Sequence, residues 1–451
     1  MLSGPHLAGR SAGWLTVVYA LYALVACALL CVNMPPFQNA DELNHFLRAD
    51  NISRGALIAQ RYQQVNSGGL ASPGITEAAA PFEVLKFRPD LKATRAMYAA
   101  ARASWQQPGI LIAFPNTALN PPYFYAPSVA AIWFGKAGRM SVIQTLYLAR
   151  LLTGVTCCLG IAWALLICSR AGLTGAALLI FALATLPMSL ALQNAASQDG
   201  LMLVAAALAA SWFARLRVLP AAGGFVPMCL SLALVAAARP PYVALALIPL
   251  VLPLPWRRRL LGAGCIAVAC ASWSELNTFY VSIYAIPDYQ ARIAAQARLL
   301  FDPARDIYLA IATFHAHAGD YARQFIGELG WLDVRLPTML IRAEWALLAC
   351  LVLASVGRPS GAALAVILAT LLGAAATFAA QYLTWTEPGA TIVDGVQGRY
   401  FLAFALVLAG LATTLARGRF GRTAMLVTAA FPIATIGIAL RAIVVRYYIG
   451  P

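Results

Sequence analysis

Charge is scarce in this sequence. Of 451 residues only 11% are charged and 61% are hydrophobic, with a mean hydropathy of +0.74. Soluble domains carry about 25% charged residues, so a water-soluble globular fold is excluded. Acids are the scarcer sign: 17 Asp and Glu stand against 32 Lys and Arg, a net charge of +15. C-x-x-C pairs and Cys/His clusters are missing, so neither a zinc site nor a disulfide framework is expected. A P-loop and a G-x-G-x-x-G fingerprint are missing too, which argues against energy from a cytosolic nucleotide. Also lacking is the apolar–polar alternation of outer-membrane strands; runs such as ALLICSRAGLTGAALLIFALATL are almost continuously apolar.

What is present is a series of long apolar runs. The expected fold is all-α: a polytopic helical membrane protein of about eleven spans, since roughly 20 apolar residues cross a bilayer. All nine cysteines (27, 31, 157, 158, 168, 229, 265, 270 and 350) fall inside these runs and read as small buried hydrophobes. The basic residues are overwhelmingly Arg, in short clusters between runs. That is the positive-inside pattern, so no nucleic acid is expected as a partner, whereas membrane lipids are.

The run from Trp14 to Val32 is followed by Asn33 and Pro-Pro rather than by a small-residue cleavage site, and reads as a retained anchor. With Arg10 in the cytoplasm, residues 34–141 form a large first outside loop. Further spans follow at about 142–168, 172–190, 201–214, 223–238, 241–256, 260–282, 338–356, 361–381, 400–415 and 423–445. The inside connections then hold Arg170; Arg215 and Arg217; Arg257 to Arg259; Arg358; and Arg417, Arg419 and Arg422, with no acid among them. Acids collect outside, with Glu275 and Glu344 near the outer ends of spans. Pro121 to Phe134 is too short to cross and reads as a re-entrant or interface-lying helix. The outside loop 283–337 contains an amphipathic stretch (Tyr289, Ile293, Ala297, Leu300) suited to the outer membrane surface. Residues 1–451 read as one transmembrane domain.

The candidate chemistry lies in the outside segments. After Pro35 and Pro36, Asn39 is placed to cap a helix with Glu42 in the capping-box position. Asp41, Asn44, His45 and Arg48 then share one helix face. Asp41 can accept a proton from an attacking hydroxyl, and Arg48 can fork onto a phosphate; the plainer alternative is a surface pair of Asp41 and His45. Asp199, the lone acid of LQNAASQDG, can join Asp41 or Glu42 on a divalent cation, Mg or Mn, or simply cap the next helix. Arg239 interrupts an apolar stretch at AAARPPYVAL, as a phosphate contact or as a snorkelling side chain. Gln397, Gly398, Arg399 and Tyr400 open a later span, where glycine lets backbone approach a ligand. GELGWLDVRLP (327–337) reads as a fixed turn. Arg150, within the second span, needs a buried partner that spacing does not identify.

Several segments carry a resemblance: PPFQNADELNHFLRA, NPPYFYAPSVA followed by LYLARLL, LPMSLALQNAASQDGL, the RPPY step, GELGWLDVRLP and GVQGRYFL, in this order along nearly the whole chain. They resemble a bacterial family of predicted polytopic membrane proteins of unknown function, grouped with the GT-C superfamily of glycosyltransferases. The resemblance implies a location in the bacterial inner membrane. It also implies transfer of a sugar from a polyprenyl-phosphate donor on the periplasmic side, to a glycan or lipid acceptor of the envelope. It implies an essential acid in the first outside loop, where Asp41 and Glu42 stand, and another in the second, where Asp199 stands. It implies a basic residue after the fifth span, the place of Arg239. Pro121, Pro122 and Tyr123 are similar to a re-entrant element of the lipid-A and protein-mannosyl branches. The motif reads Ala40-Asp41-Glu42 where relatives usually read Pro-Asp-Glu.

The expected catalytic set is Asp41, Glu42 and Asp199. The expected substrate-binding set is His45, Arg48, Tyr123, Arg239, Tyr242, Gln397, Arg399 and Tyr400. Beyond the divalent cation no cofactor is expected. Two rivals to an inverting transferase are a flippase of lipid-linked sugars, which needs polar residues through the spans, and a non-catalytic scaffold of envelope assembly.

Overall fold

The computed structural model describes residues 6–62, 66–220, 223–283, 287–300, 302–355, 360–412 and 419–449. Of the basic connections, Arg358 and Arg417 lie outside these residues, as do the side chains of Arg10 and Arg419. The chain is mostly helical. In order it forms α1 (His6–Asn33), α2 (Glu42–Ser53), α3 (Pro73–Glu83), α4 (Arg95–Ala100), α5 (Pro115–Ala118), α6 (Ala126–Ala137), α7 (Val142–Arg170), α8 (Thr174–Ala184) and α9 (Pro187–Gln193). There follow α10 (Asp199–Val218), α11 (Phe225–Ala238), α12 (Trp256–Tyr280), α13 (Pro287–Ala297), α14 (Pro303–Ile326), α15 (Thr338–Ser355), α16 (Gly361–Thr384), α17 (Leu402–Ala409) and α18 (Arg419–Tyr447).

Seven helices among the described residues are long and apolar enough to cross a membrane, within α1, α7, α10, α12, α15, α16 and α18. The other four expected passes fall on shorter or broken elements. α8 and α9 meet at a 74° bend, where Pro187 starts a new helix because it cannot continue the old one. Phe225–Ala238, Pro240–Val251 and Gly398–Ala409 are apolar but short. The 240–251 stretch is a 3₁₀ segment, begun by Pro240 and Pro241 and holding Pro249.

α8 and α10 are buried on nearly every side, as expected of helices without a polar face. α7 is the spine on which α1 and α10 pack. Around them the outer helices expose apolar side chains: Leu21, Val25, Leu29 and Val32 on α1, and Leu364, Leu368, Leu371 and Leu372 on α16. Large exposed apolar surface of this kind marks contact with lipid rather than water. Seven of the nine cysteines are buried as expected; Cys265 and Cys350 instead sit exposed on α12 and α15.

The described residues of the 34–141 segment, 34–62 and 66–141, fold as a layer over one end of the bundle. A three-stranded antiparallel sheet forms from β1 (Gln60–Tyr62), β2 (Asn66–Ala71) and β3 (Ile110–Ala113). The layer has its own core, in which Phe37, Phe46, Phe114, Tyr125 and Ile132 meet Val142 and Leu146 of α7. Pro121 to Phe134 becomes a 3₁₀ turn, Pro122–Tyr125, leading into α6. The GELGWLDVRLP stretch is a tight hairpin of β4 (Glu328–Leu329) and β5 (Val334–Arg335), turned by Gly330 and Leu332 at positive φ. α14 exposes Ile307, Tyr308, Ile311 and Phe314, an apolar face on an otherwise polar helix.

Candidate functional site

Four charged side chains from four distant segments, Asp41 of the 34–141 layer among them, form one ladder where that layer meets the bundle. Arg399 Nη2 donates to Asp41 Oδ2 at 3.1 Å, and its Nη1 lies 3.8 Å from Asp199 Oδ2. Arg239 Nη2 donates to Asp199 Oδ1 at 2.8 Å. The order is Asp41, Arg399, Asp199, Arg239, with signs alternating and a sum of zero. The two inner members are nearly closed off, with side-chain exposures of 5% for Arg399 and 9% for Asp199. The two ends are open, at 29% for Asp41 and 26% for Arg239. An incoming molecule therefore meets one carboxylate and one guanidinium.

Local structure explains how each reaches the ladder. The capping expectation is corrected: α2 begins at Glu42, not after Asn39, and Asp41 stands at its N-cap with φ 58° and no side-chain cap bond. A left-handed non-glycine residue costs roughly 1–3 kcal/mol, and Asp is among those that tolerate it best. The twist frees the Asp41 carboxylate for Arg399. Asp199 opens α10, where a carboxylate suits the helix dipole. Arg239 is extended between α11 and the 3₁₀ segment; the prolines that follow end α11 there. Its guanidinium lies 4.5 Å from the centre of the Tyr400 ring, a cation–π distance. Tyr242 fixes that ring indirectly: its hydroxyl donates to the Tyr400 carbonyl at 2.5 Å and its own ring packs on Phe404. Gln397 Oε1 accepts from Arg399 Nε at 2.7 Å.

Gly398 serves a different close approach from the one expected. A Cβ there would lie 2.0 Å from the Tyr321 carbonyl oxygen of α14, so glycine admits backbone, not ligand. Its N–H donates to Gln324 Oε1, which pins the Arg399 turn against α14.

His45 sits beside the ladder, buried. Its Nδ1 is 2.6 Å from the Tyr125 hydroxyl, which also accepts from Asn120 Nδ2 at 2.9 Å. The Tyr125 hydroxyl thus bridges the Asn120 amide and the His45 imidazole. Burial lowers the His45 pKa, opposed by the charges of Asp199 and Asp41. A neutral imidazole thus faces the ladder. Tyr125 and Asn120 were not singled out from sequence; the NPPYFY segment that carries them was.

Three expected site residues are placed elsewhere. Glu42 is fully buried, its oxygens taken by Arg150, by Asn39 Nδ2 and by the Ala196 N–H. This supplies the partner that Arg150 required. Arg48 is also fully buried and donates to Asn51 Oδ1 and to the carbonyls of Ala56, Leu57 and Asn120; burial lowers its pKa to about 10. It ties α2 to the loops after it, and its donors are not presented to a phosphate. Tyr123 donates to the Leu234 carbonyl of α11 at 2.6 Å. Among the described residues no group of three His, Cys, Asp or Glu side chains is placed to hold a metal ion. Asp41 and Asp199 both pair with Arg399.

A model for one family, described as predicted membrane protein (DUF2142), matches residues 24–408. No curated protein and no solved structure matches the chain.

Proposed function

We propose a function for a chain that belongs to the DUF2142 family of predicted membrane proteins: transfer of a sugar from a polyprenyl-phosphate donor to an envelope glycan or lipid. The reading takes all eleven apolar segments as passes, counting the bent and short ones. It places the arginine-rich connections in the cytoplasm and the ladder on the periplasmic side of a bacterial inner membrane. The GT-C resemblance of the motifs suggests this chemistry. The single observation that carries it is the ladder, whose open ends are a carboxylate and a guanidinium.

The acceptor hydroxyl gives its proton to Asp41 as its oxygen attacks the anomeric carbon. The bond from that carbon to the phosphate oxygen breaks on the opposite face, so configuration inverts. The phosphodiester gains one negative charge as it leaves, while Asp41 loses one, so the total charge of the site is unchanged. Arg239 receives the leaving phosphate, and Arg399, between the two acids, is the second cation within reach. Glu42 acts as scaffold. No step requires a metal.

The test is transfer of a radiolabelled sugar from a short-chain polyprenyl-phosphate donor by purified protein in liposomes. Asp41→Asn is expected to lower transfer by about 10²–10⁴, the range for a positioned base, with normal elution and thermal stability. Unchanged transfer in a folded D41N variant removes Asp41 from this role. Lipid-sugar movement across the bilayer with no glycosidic bond formed replaces the transferase reading with the flippase.

A further inference from the structure

At the end of the bundle opposite the ladder, a groove of about 180 Å³ opens between α7 and α10, lined by Trp163, Arg170, Trp212 and Arg215 among others. α10 carries Asp199 in its first turn and Arg215 in its last. Sixteen residues at 1.5 Å each put about 24 Å of helix between them, on the order of the hydrocarbon thickness of a bilayer. The groove therefore lies near the membrane surface that the ladder does not face.

Its arginines differ from their neighbour Arg217. Arg170 lies in the last turn of α7 and Arg215 and Arg217 in the last turn of α10, where basic residues suit the helix dipole; Arg217 in addition donates to the carbonyls of Gly410 and Leu411, just past the end of α17. Arg170 and Arg215 have no carboxylate partner among the described residues. Arg215 instead lies 5.2 Å from the centre of the Trp212 ring. A stripe of exposed apolar side chains leads to the pair: Leu151, Val155, Leu159 and Trp163 recur every four residues on α7, on one helix face. Trp163 is the last member of the stripe and part of the groove wall.

We propose that this groove is a binding site for an anionic phospholipid. Arg170 and Arg215 hold its phosphate, the two indoles lie at glycerol level, and one acyl chain follows the stripe along α7. Two cations without a carboxylate partner among the described residues call for an anion, and an apolar track that begins at the cations and runs along the helix calls for an acyl chain rather than a soluble phosphate. Indole rings are enriched at this depth of a bilayer. The inference is independent of the sugar-transfer reading.

The full chain is placed in phosphatidylcholine nanodiscs containing brominated-chain phosphatidylglycerol or, at the same mole fraction, brominated phosphatidylcholine. Tryptophan quenching is read, with W163F/W212F isolating the groove from the other indoles. Phosphatidylglycerol is expected to quench at lower mole fraction than phosphatidylcholine, and W163F/W212F to remove most of that excess. Each arginine near an anionic surface contributes roughly fivefold in partition, so R170Q/R215Q is expected to shift half-saturation on the order of 25-fold. Equal quenching by the two lipids overturns the proposal, as does an unchanged excess in a normally eluting R170Q/R215Q protein. Relief of the excess by inorganic phosphate also overturns it, because the occupant is then a soluble anion. Native mass spectrometry of the wild-type protein, expected to retain phosphatidylglycerol through detergent exchange, provides a measurement that no variant's folding affects; its absence counts against the site.

Discussion

Arg150 and Glu42 meet through two parallel bonds, Nε to Oε1 at 2.8 Å and Nη2 to Oε2 at 2.5 Å, with both side chains at 0% exposure. The remaining guanidinium hydrogens go to the carbonyls of Cys31, Met34 and Pro35. One side chain of α7 thus ties the end of α1, the proline turn and the first residue of α2. Asp41 lies inside the segment so fixed, which makes this pair the mechanical support of the ladder.

Removing one partner of such a pair leaves a buried charge unanswered. Glu42→Ala or Arg150→Met is expected to destabilise by roughly 3–5 kcal/mol, read as thermal unfolding in detergent by intrinsic fluorescence. The double variant E42M/R150M is expected to recover part of the loss, since an apolar pair leaves no charge buried. Single variants as stable as the parent would show that the pair does not support the turn.

Arg239 and Arg399 differ in exposure, and their substitutions are expected to differ accordingly. Arg239→Gln removes the open cation and leaves Asp41–Arg399 in place. A hydrogen bond to a charged group contributes about 1.5–3 kcal/mol, so the donor KM is expected to rise roughly 10–100-fold with the fold intact. Arg399→Gln removes the bridge between both acids and is expected to lower kcat as well. Steady-state kinetics of the two variants side by side decide the matter; a KM effect confined to Arg399 reverses the assignment.

The sequence made part of this legible. Apolar runs marked where helices would lie, and Asp41, Asp199, Arg239 and Arg399 stood out because each interrupts or borders such a run, where a charge demands a reason. The partner of Arg150 was not legible: Glu42 lies far away in the chain, and a tertiary ion pair leaves no local spacing. That Arg48 satisfies loop carbonyls was not legible either, because such a guanidinium and one that awaits phosphate look alike on a helix wheel. The β1–β3 sheet was missed as well; NSGGLA and ILIA lack the alternation by which strands are recognised.

Asp50 anchors the layer above the ladder. Fully buried, it accepts from Lys136 Nζ of α6 at 2.5 Å, from Arg54 Nε at 3.1 Å and from the Ser72 N–H at 2.7 Å. Asp50→Ala strands a lysine and a backbone donor at once, and a loss of about 3–5 kcal/mol is expected. Hydrogen exchange should locate the damage: faster exchange in α2, β2 and α6, with α8 and α10 unchanged. Uniform acceleration across the bundle would mean that the layer and the spans unfold as one.

The His45 imidazole ties stability to pH. The charged and polar groups around it are Asp41, Asp199, Arg399, Arg239, Tyr125 and Asn120, and burial is the largest influence on its pKa, which is lowered. In the unfolded chain it titrates at about 6.5. Above that value His45 is neutral in both states and contributes no pH dependence. As pH falls below it, the unfolded chain binds the proton first, so the unfolded state holds more protons and stability drops. The drop continues until the lowered folded value is reached and then persists. Thermal midpoints measured between pH 7.5 and pH 5 should therefore fall more steeply for the parent than for His45→Gln, which cannot take up the proton. Tyr125→Phe removes the hydroxyl that Nδ1 of His45 meets at 2.6 Å and is expected to shift the imidazole ¹⁵N resonances. Parallel pH curves for parent and H45Q would show that His45 titrates alike in the folded and unfolded chain, and the neutral imidazole beside the ladder would then have to be abandoned.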